Sequence, residues 1–106
     1  MFNVDEVPVF QVPVPVIAPG GIDQSFQASF EALMIDEFSG FNLSTPDGCT
    51  AFLERAWLKV DDVVDKDGNP VPDSTELRAR IANMPWCRAA LVRAYLDGLQ
   101  PAARGN

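Results

Sequence analysis

Residues 7–34 read VPVFQVPVPVIAPGGIDQSFQASFEALM, and this stretch decides how the chain begins to fold. Over residues 7–17, β-branched residues alternate with other residue types, which is typical of a strand. From Phe26 to Met34 every second residue is apolar, the pattern of a half-buried strand. Gly20 and Gly21, which follow a proline, are a strong turn signal between the two. The stretch therefore predicts an antiparallel β-hairpin.

Two prolines, Pro13 and Pro15, lie two positions apart in the first predicted strand. Backbone groups of residues two apart point to the same edge of a strand, and proline has no N–H to donate there. We therefore expect this strand to pair on one side only, as an edge strand blunted against further pairing. A polyproline-like arm is the alternative.

The second half of the chain is predicted to be mainly helical. Apolar residues at helical spacing indicate one helix over residues 52–60. Extended residues and a turn follow, and Asp73 and Glu76, three apart, indicate the capping box of a second helix. Pro85 fits the first turn of a third helix, for which Gly98 is the expected C-cap.

These elements place the strands first and the helices later, which predicts an α+β fold. The expected order is an N-terminal antiparallel β-hairpin, a helix, a short β-turn segment and two C-terminal helices. At 106 residues the chain has room for one domain, which we expect to span residues 1–99, with residues 100–106 as a flexible tail.

Composition disfavours several classes of function. The chain has 15 acidic and 8 basic residues, so its net charge of −7 disfavours a nucleic-acid binder, which needs a basic footprint. It has no histidine, the commonest proton shuttle and metal ligand, so neither a serine nor a cysteine can be activated by one. We therefore expect a protein that is not an enzyme and that needs no cofactor or metal.

The charges are also unevenly placed. Residues 1–50 contain seven acidic residues and no lysine or arginine, whereas residues 51–106 contain all eight bases and the other eight acids. Such a layout can orient a protein partner or favour head-to-tail contacts between copies, although a solvated surface of uneven sign explains it equally well. Self-association is therefore possible.

Cysteine usage and hydropathy suggest a compartment. Cys49 and Cys87 have no metal-type spacing, and we expect two reduced, partly buried thiols. The start of the chain is acidic and its apolar residues are interrupted by prolines, unlike a secretory signal. No apolar run approaches the roughly 20 residues of a membrane-spanning helix. These features predict a cytoplasmic protein that does not contact membranes.

One segment resembles a calcium loop. Residues 65–76 read DKDGNPVPDSTE and place oxygen-bearing side chains at loop positions one, three, five, nine and twelve of an EF-hand: Asp65, Asp67, Asn69, Asp73 and Glu76. The sharp turn at position six needs glycine, and Pro70 occupies it with its φ locked at a negative value. A turn followed by a helix cap accounts for the same residues, and a divalent-cation site remains an alternative.

A series of short motifs follows in a distinctive order along residues 24–99. The motifs are Phe26-Gln27-Ala28-Ser29-Phe30, Phe52-Leu53 before Trp57, Val63-Val64-Asp65, the turn Asp67-Gly68-Asn69-Pro70-Val71-Pro72, a capped helix from Ser74 with Leu77, Pro85-Trp86, and Arg93-Ala94-Tyr95-Leu96. In the order of these motifs, rather than in any one of them, the chain resembles the small tail assembly chaperones of tailed phages and prophages.

The resemblance implies a non-enzymatic assembly factor. Such proteins hold the long, largely helical tape-measure protein before the tail tube polymerises around it, and some also recruit tube subunits. The alternatives are a structural subunit of the phage tail or of the head–tail connector, and the divalent-cation protein described above. The expected partner is therefore a tape-measure protein, with a tail-tube protein as a second possibility.

Aromatic and arginine residues of the helical half are the candidate contact residues, because these types are enriched at binding hot spots. A basic stripe of Arg78, Arg88 and Arg93 over the last two helices is a weaker interpretation than solvent-facing arginines. The candidates for partner binding are Trp57, Trp86, Arg93 and Tyr95.

Overall fold

The structure, a computed structural model, describes residues 1–100. The strands are β1 (Val9–Ala18), β2 (Ile22–Glu31) and β3 (Trp57–Asp61); the helices are α1 (Ile35–Phe38), α2 (Pro46–Ala56), α3 (Thr75–Ala82) and α4 (Pro85–Gly98). The three strands form one antiparallel sheet in the order β1-β2-β3. The fold is α+β, with the predicted N-terminal hairpin and C-terminal helices. The expected tail falls on residues 101–106, outside the described residues, except for Gln100.

The predicted hairpin is confirmed, with Gly20 and Gly21 both at positive φ in its turn. Phe10 pairs with Phe30 and Val14 with Phe26, so the even-numbered residues of both strands meet on the face that packs against the helices. β2 ends at Glu31, so the prediction that it continues to Met34 is wrong.

Strand β3 replaces the end of a predicted helix. The prediction that the helix runs through Trp57 to Val60 is wrong, because α2 ends at Ala56. Trp57 pairs with Phe30 and Val60 pairs with Ala28, so four positions of β3 oppose three of β2. The extra residue is a β-bulge, which turns both side chains toward the core although their spacing is that of a helix.

Both edges of the sheet are closed to further strands. The carbonyl of Pro8 accepts a hydrogen bond from Ala32 N–H (2.9 Å), so even-numbered backbone groups of β1 face β2 and the odd-numbered ones face the free edge. Pro13 and Pro15 lie on that free edge without an N–H, as expected. At the other edge, Val60 N–H donates to the carboxylate of Asp73 (3.0 Å).

A short β-turn segment and a serine cap lead into α3. Val64 and Pro70 form an antiparallel bridge around the turn, as predicted. The N-cap of α3 is Ser74, whose Oγ accepts from Leu77 N–H (3.0 Å). The predicted capping box of Asp73 and Glu76 is therefore wrong. The carboxylate of Asp73, which lies one position before the N-cap, accepts a hydrogen bond from Val60 N–H of β3 instead.

Tyr95 joins the helices to the sheet. Its ring lies 4.9 to 5.9 Å, centroid to centroid, from the rings of Phe10, Phe30, Phe38 and Phe52, which come from β1, β2, α1 and α2. Its hydroxyl oxygen accepts a hydrogen bond from Leu33 N–H (3.0 Å). The core is therefore built around one side chain of α4.

Gly98 allows α4 to approach β1 closely. It lies inside α4, whose C-cap is Leu99, so the prediction that Gly98 is the C-cap is wrong. A Cβ at this position would lie 2.9 Å from Phe10 Cδ2 and 3.0 Å from Val12 Cγ1. The glycine is required by packing, because Phe10 is held against Phe30 and Tyr95.

Gly98→Ala tests this packing. Helix propensity alone would make alanine more stable by about 1 kcal/mol, so a loss of stability would come from the contact with Phe10. We expect the substitution to destabilise the protein by about 1–3 kcal/mol, since the added methyl group overpacks the contact with Phe10. Urea unfolding followed by tryptophan fluorescence measures the difference. In a Phe10→Ala background the same change should become neutral or stabilising. An equal loss in both backgrounds would contradict the packing role.

Candidate partner-binding surfaces

Two of the four candidate contact residues lie in the core. Tyr95 is 0% exposed and Trp57 is 3% exposed, and the indole N–H of Trp57 donates to Lys59 O (2.9 Å). A side chain with no exposed area cannot contact a partner. The motifs did not distinguish a core aromatic residue from an interface aromatic residue, because both occur in amphipathic segments.

Trp86 and Arg93 lie on the outward face of α4. They are seven residues apart, which brings them to nearly the same side of a helix. Ala89 and Leu96 are exposed on that side as well, so residues 86, 89, 93 and 96 form an exposed row with heptad spacing. We call Trp86, Ala89, Arg93 and Leu96 the α4 stripe. Trp86 is 37% exposed and Leu96 is 45% exposed.

Leu99, three residues after Leu96, is exposed and extends the α4 stripe at its C-terminal end. The hydrogen bond between Leu33 N–H and Tyr95 brings the segment after β2 to this end of α4, on the core side of the helix. Met34 and Ile35, which follow Leu33, are exposed as well. Exposed apolar residues that collect on one helix face mark an interaction surface more often than scattered ones do.

An ion-pair network anchors α1, the short helix that begins at Ile35. The guanidinium of Arg55 in α2 lies 2.8 Å from Glu31 and 2.7 Å from Glu37, so it ties the end of β2 to α1. The hydrogen bond from Arg55 holds the pKa of Glu31 below its ordinary value, and both carboxylates raise the pKa of Arg55. These charges remain paired near neutral pH, so α1 is held in place.

A groove runs beside the α4 stripe, between β1 and α4. Phe10 and Val12 contribute its β1 side, and small residues of α4, among them Ala90 and Ala94, contribute the other side. Arg93 lies at the rim of this groove and belongs to the α4 stripe as well. Arg93 has no ion-pair partner among residues 1–100. We call this feature the β1–α4 groove.

The arginines do not form a basic stripe. Arg78 forms an ion pair with Asp73 (2.5 Å). Arg88 donates to Ala82 O (2.8 Å), Pro46 O (2.7 Å) and Thr50 Oγ1 (2.6 Å), so it clips α4 to the end of α3 and the start of α2. Arg93 alone of the three projects from the outer face of α4. The first two therefore hold the fold together rather than face a ligand.

The calcium-like loop is organised as a turn. The carboxylate of Asp65 accepts from Asp67 N–H (2.9 Å) and Asn69 N–H (3.0 Å), and these bonds lower the pKa of Asp65. Asp73 is engaged by Val60 N–H and Arg78. Within residues 1–100 no group of three or more histidine, cysteine or acidic side chains comes together as a metal site.

The thiols of both cysteines are buried. Cys49 and Cys87 are free, and burial raises the pKa of the Cys87 thiol, which disfavours the nucleophilic thiolate.

No helix in residues 1–100 combines the length and the apolar character needed to cross a membrane. Comparisons with protein-family models, curated proteins and solved structures find no match for this chain.

Sequence reasoning missed three exposed residues of the α4 surface: Ala89, Leu96 and Leu99. The heptad spacing of residues 86, 89, 93 and 96 is visible in the sequence. However, α4 has apolar residues on every side, so the spacing does not say which side faces outward. That choice is made by Tyr95, which turns the opposite side of α4 into the core.

Asp73→Asn tests the closure of the β3 edge. Burial raises the pKa of Asp73, but the hydrogen bonds from Arg78 and Val60 N–H outweigh it and lower the pKa overall. The carboxylate therefore stabilises the fold above its unfolded pKa of about 3.9, and this contribution is lost as the pH falls through the lower folded value.

At pH 7 we expect Asp73→Asn to cost about 1–2 kcal/mol of unfolding free energy. The difference from the wild type should shrink as the pH falls from about 4 through the lowered pKa of the folded carboxyl, because Asp73 is protonated first in the unfolded chain and then in the folded protein. Urea unfolding at a series of pH values measures both proteins. A difference that stays constant down to pH 2.5 would show that the charge of Asp73 is not what matters.

Calcium should leave the melting temperature unchanged. The carboxylates of residues 65–76 are used by the turn and by β3, so millimolar calcium has no prepared oxygen cage to bind. Differential scanning fluorimetry with calcium, compared with magnesium and with a chelator, measures this. A rise in melting temperature that depends on calcium would revive the divalent-cation alternative.

Proposed function

We propose that this protein is a non-enzymatic assembly chaperone that covers an apolar helix of a phage tape-measure protein before the tail tube forms around it. The observation that carries the proposal is the α4 stripe, an exposed row with heptad spacing on a folded domain. Three of its four members, Trp86, Arg93 and Leu96, belong to motifs through which residues 24–99 resemble tail assembly chaperones.

Closed sheet edges favour a helical partner over an extended one. A partner strand would have to pair with an edge, but β1 carries Pro13 and Pro15 there and β3 is occupied by Asp73. Side chains at heptad spacing instead accept a second helix by knobs-into-holes packing. The small side chain of Ala89 in the middle of the stripe leaves room for such a helix to approach.

The α4 stripe is short enough for weak, reversible binding to a partner helix. From residue 86 to residue 96 it extends over about 15 Å of helix. A contact of this length is small beside the interfaces of permanent complexes, so each copy would bind weakly. Many copies along a long helix would together cover it, and each could later be displaced by a tube subunit.

The proposal includes a cellular compartment and the classes of partner. Two free, buried cysteines suit the reducing cytoplasm of a bacterial host. The net charge of −7 argues against nucleic acid and against anionic membrane surfaces as partners. A tail-tube protein is a second partner of the same proposal, because it must replace the chaperone on the tape measure.

Co-expression with the tape-measure protein encoded nearby tests the proposal. We expect a soluble complex with the wild type and at least about tenfold weaker copurification with Trp86→Glu/Leu96→Lys, because a hot-spot contact is worth about 2 kcal/mol or more. Each charge in this variant suits the dipole at its end of α4, and the net charge is unchanged.

Ile17→Glu/Ile22→Lys is the matched control. It makes the same changes at two exposed isoleucines beside the hairpin turn, away from α4, and should bind like the wild type. Separate elution of the wild type and the tape-measure protein, or equal losses in both variants, would refute the proposed surface.

Finished particles separate a chaperone from a structural subunit. A chaperone is released when the tube closes, so mass spectrometry of purified virions should not detect this protein. Its presence at a fixed ratio to the tube protein would instead establish the alternative, a structural subunit of the tail or of the head–tail connector.

A further inference from the structure

We infer that residues 1–8 of one copy dock into the β1–α4 groove of a second copy, so that two copies exchange arms. The arm reads MFNVDEVP, and four of its side chains are exposed and apolar: Met1, Phe2, Val4 and Val7. Phe2 is 90% exposed. A folded domain rarely leaves an aromatic side chain uncovered in this way together with its apolar neighbours.

The arm is not held by the rest of its own copy. Asp5 N–H and Glu6 N–H both bond to Asn3, within the arm. In the described part of the chain, the first hydrogen bond between this segment and the rest of the fold is that from Ala32 N–H to Pro8 O (2.9 Å). Residues 1–7 are therefore free to bind elsewhere.

The apolar side chains of the arm match the apolar walls of the β1–α4 groove, to which Phe10 contributes. The arm also carries two carboxylates, Asp5 and Glu6, and no lysine or arginine. The α4 side of the groove carries one cation, Arg93, which has no ion-pair partner among residues 1–100, and one carboxylate, Asp97. The carboxylates of a docked arm would therefore lie beside Arg93 and away from Asp97, which is one turn further along α4.

Chain direction excludes the arm's own groove. The bond from Ala32 N–H to Pro8 O and the pairing of Val9 with Glu31 continue the hairpin in register, so the arm leaves β1 away from residues 10–15. To reach its own groove it would have to reverse at residues 8 and 9 and break this pairing. Fully extended, the arm reaches about 26 Å, enough to cross to a neighbour. Reciprocal exchange between two copies gives a closed, two-fold dimer.

Sedimentation equilibrium over micromolar to submillimolar concentrations tests the arm. The wild type should dimerise reversibly, and about 1 M salt should weaken the dimer by screening Arg93. Phe2→Asp and Arg93→Glu should each weaken it at least tenfold, and Asp5→Lys/Glu6→Lys should restore association in the Arg93→Glu protein. Ile17→Asp, an equally drastic change at an exposed position on the hairpin, is the control and should dimerise normally.

Cysteine pairing identifies the occupant of the groove. Asn3→Cys in one copy and Gln11→Cys in another, mixed and oxidised, should form a disulfide-linked dimer, because Gln11 lines the groove. Ile22→Cys in place of Gln11→Cys should not. Each copy carries one added thiol, and the native cysteines are buried, so this product can form only between copies.

Several results would overturn the inference. These are a wild type that stays monomeric throughout, a dimer that Phe2→Asp leaves intact, and a dimer lost only in Trp86→Glu/Leu96→Lys, which would place the interface on the α4 stripe. An Asn3→Cys/Gln11→Cys chain that links to itself as a monomer would show that the arm fills its own groove. None of these measurements needs the tape-measure protein, so they stand apart from the test of the proposed function.

Discussion

The packing of Tyr95 against four phenylalanines is the contact on which the rest of the structure depends. Phe10, Phe30, Phe38 and Phe52 come from four different elements, and each of their rings meets this one side chain of α4. The hydroxyl, buried with the ring, is satisfied by Leu33 N–H just beyond β2. A buried aromatic cluster of this kind fixes the rotation of α4 about its own axis. Once Tyr95 faces inward, the α4 stripe must face outward.

Closed edges and an outward helix together define what this domain can do. Proline on β1 and a carboxylate on β3 remove the sheet as a place for strand addition. Arg78 of α3 and Arg88 of α4 are engaged within the fold, by Asp73 and by oxygens of α2 and α3. On α4, by contrast, Trp86 and Leu96 are exposed, and Arg93 has no ion-pair partner among residues 1–100. These features favour partner contacts through side chains rather than through the backbone.

Arg93 connects the two surfaces on α4. It lies in the α4 stripe and at the rim of the β1–α4 groove, so a segment docked in the groove would lie beside a helix docked on the stripe. The first half of the chain is acidic, so its carboxylates can pair with Arg93 of another copy. Association between copies would then place several stripes near one another, which is how weak single contacts cover a long partner.

The sequence by itself determined the local structure: the hairpin and its turn, the edge position of β1, the start of α4 at Pro85 and the α+β class. These follow from alternation, glycine and proline, whose effects are confined to a few neighbouring residues. Only the tertiary structure decided that Trp57 belongs to a bulged strand and that Asp73 binds the free edge of β3 rather than capping a helix. It also decided that Gly98 lies against the ring of Phe10, where a larger side chain would clash. It also decided that Tyr95 is core and Trp86 is surface. Each of these depends on a partner distant in sequence, and no local pattern names that partner.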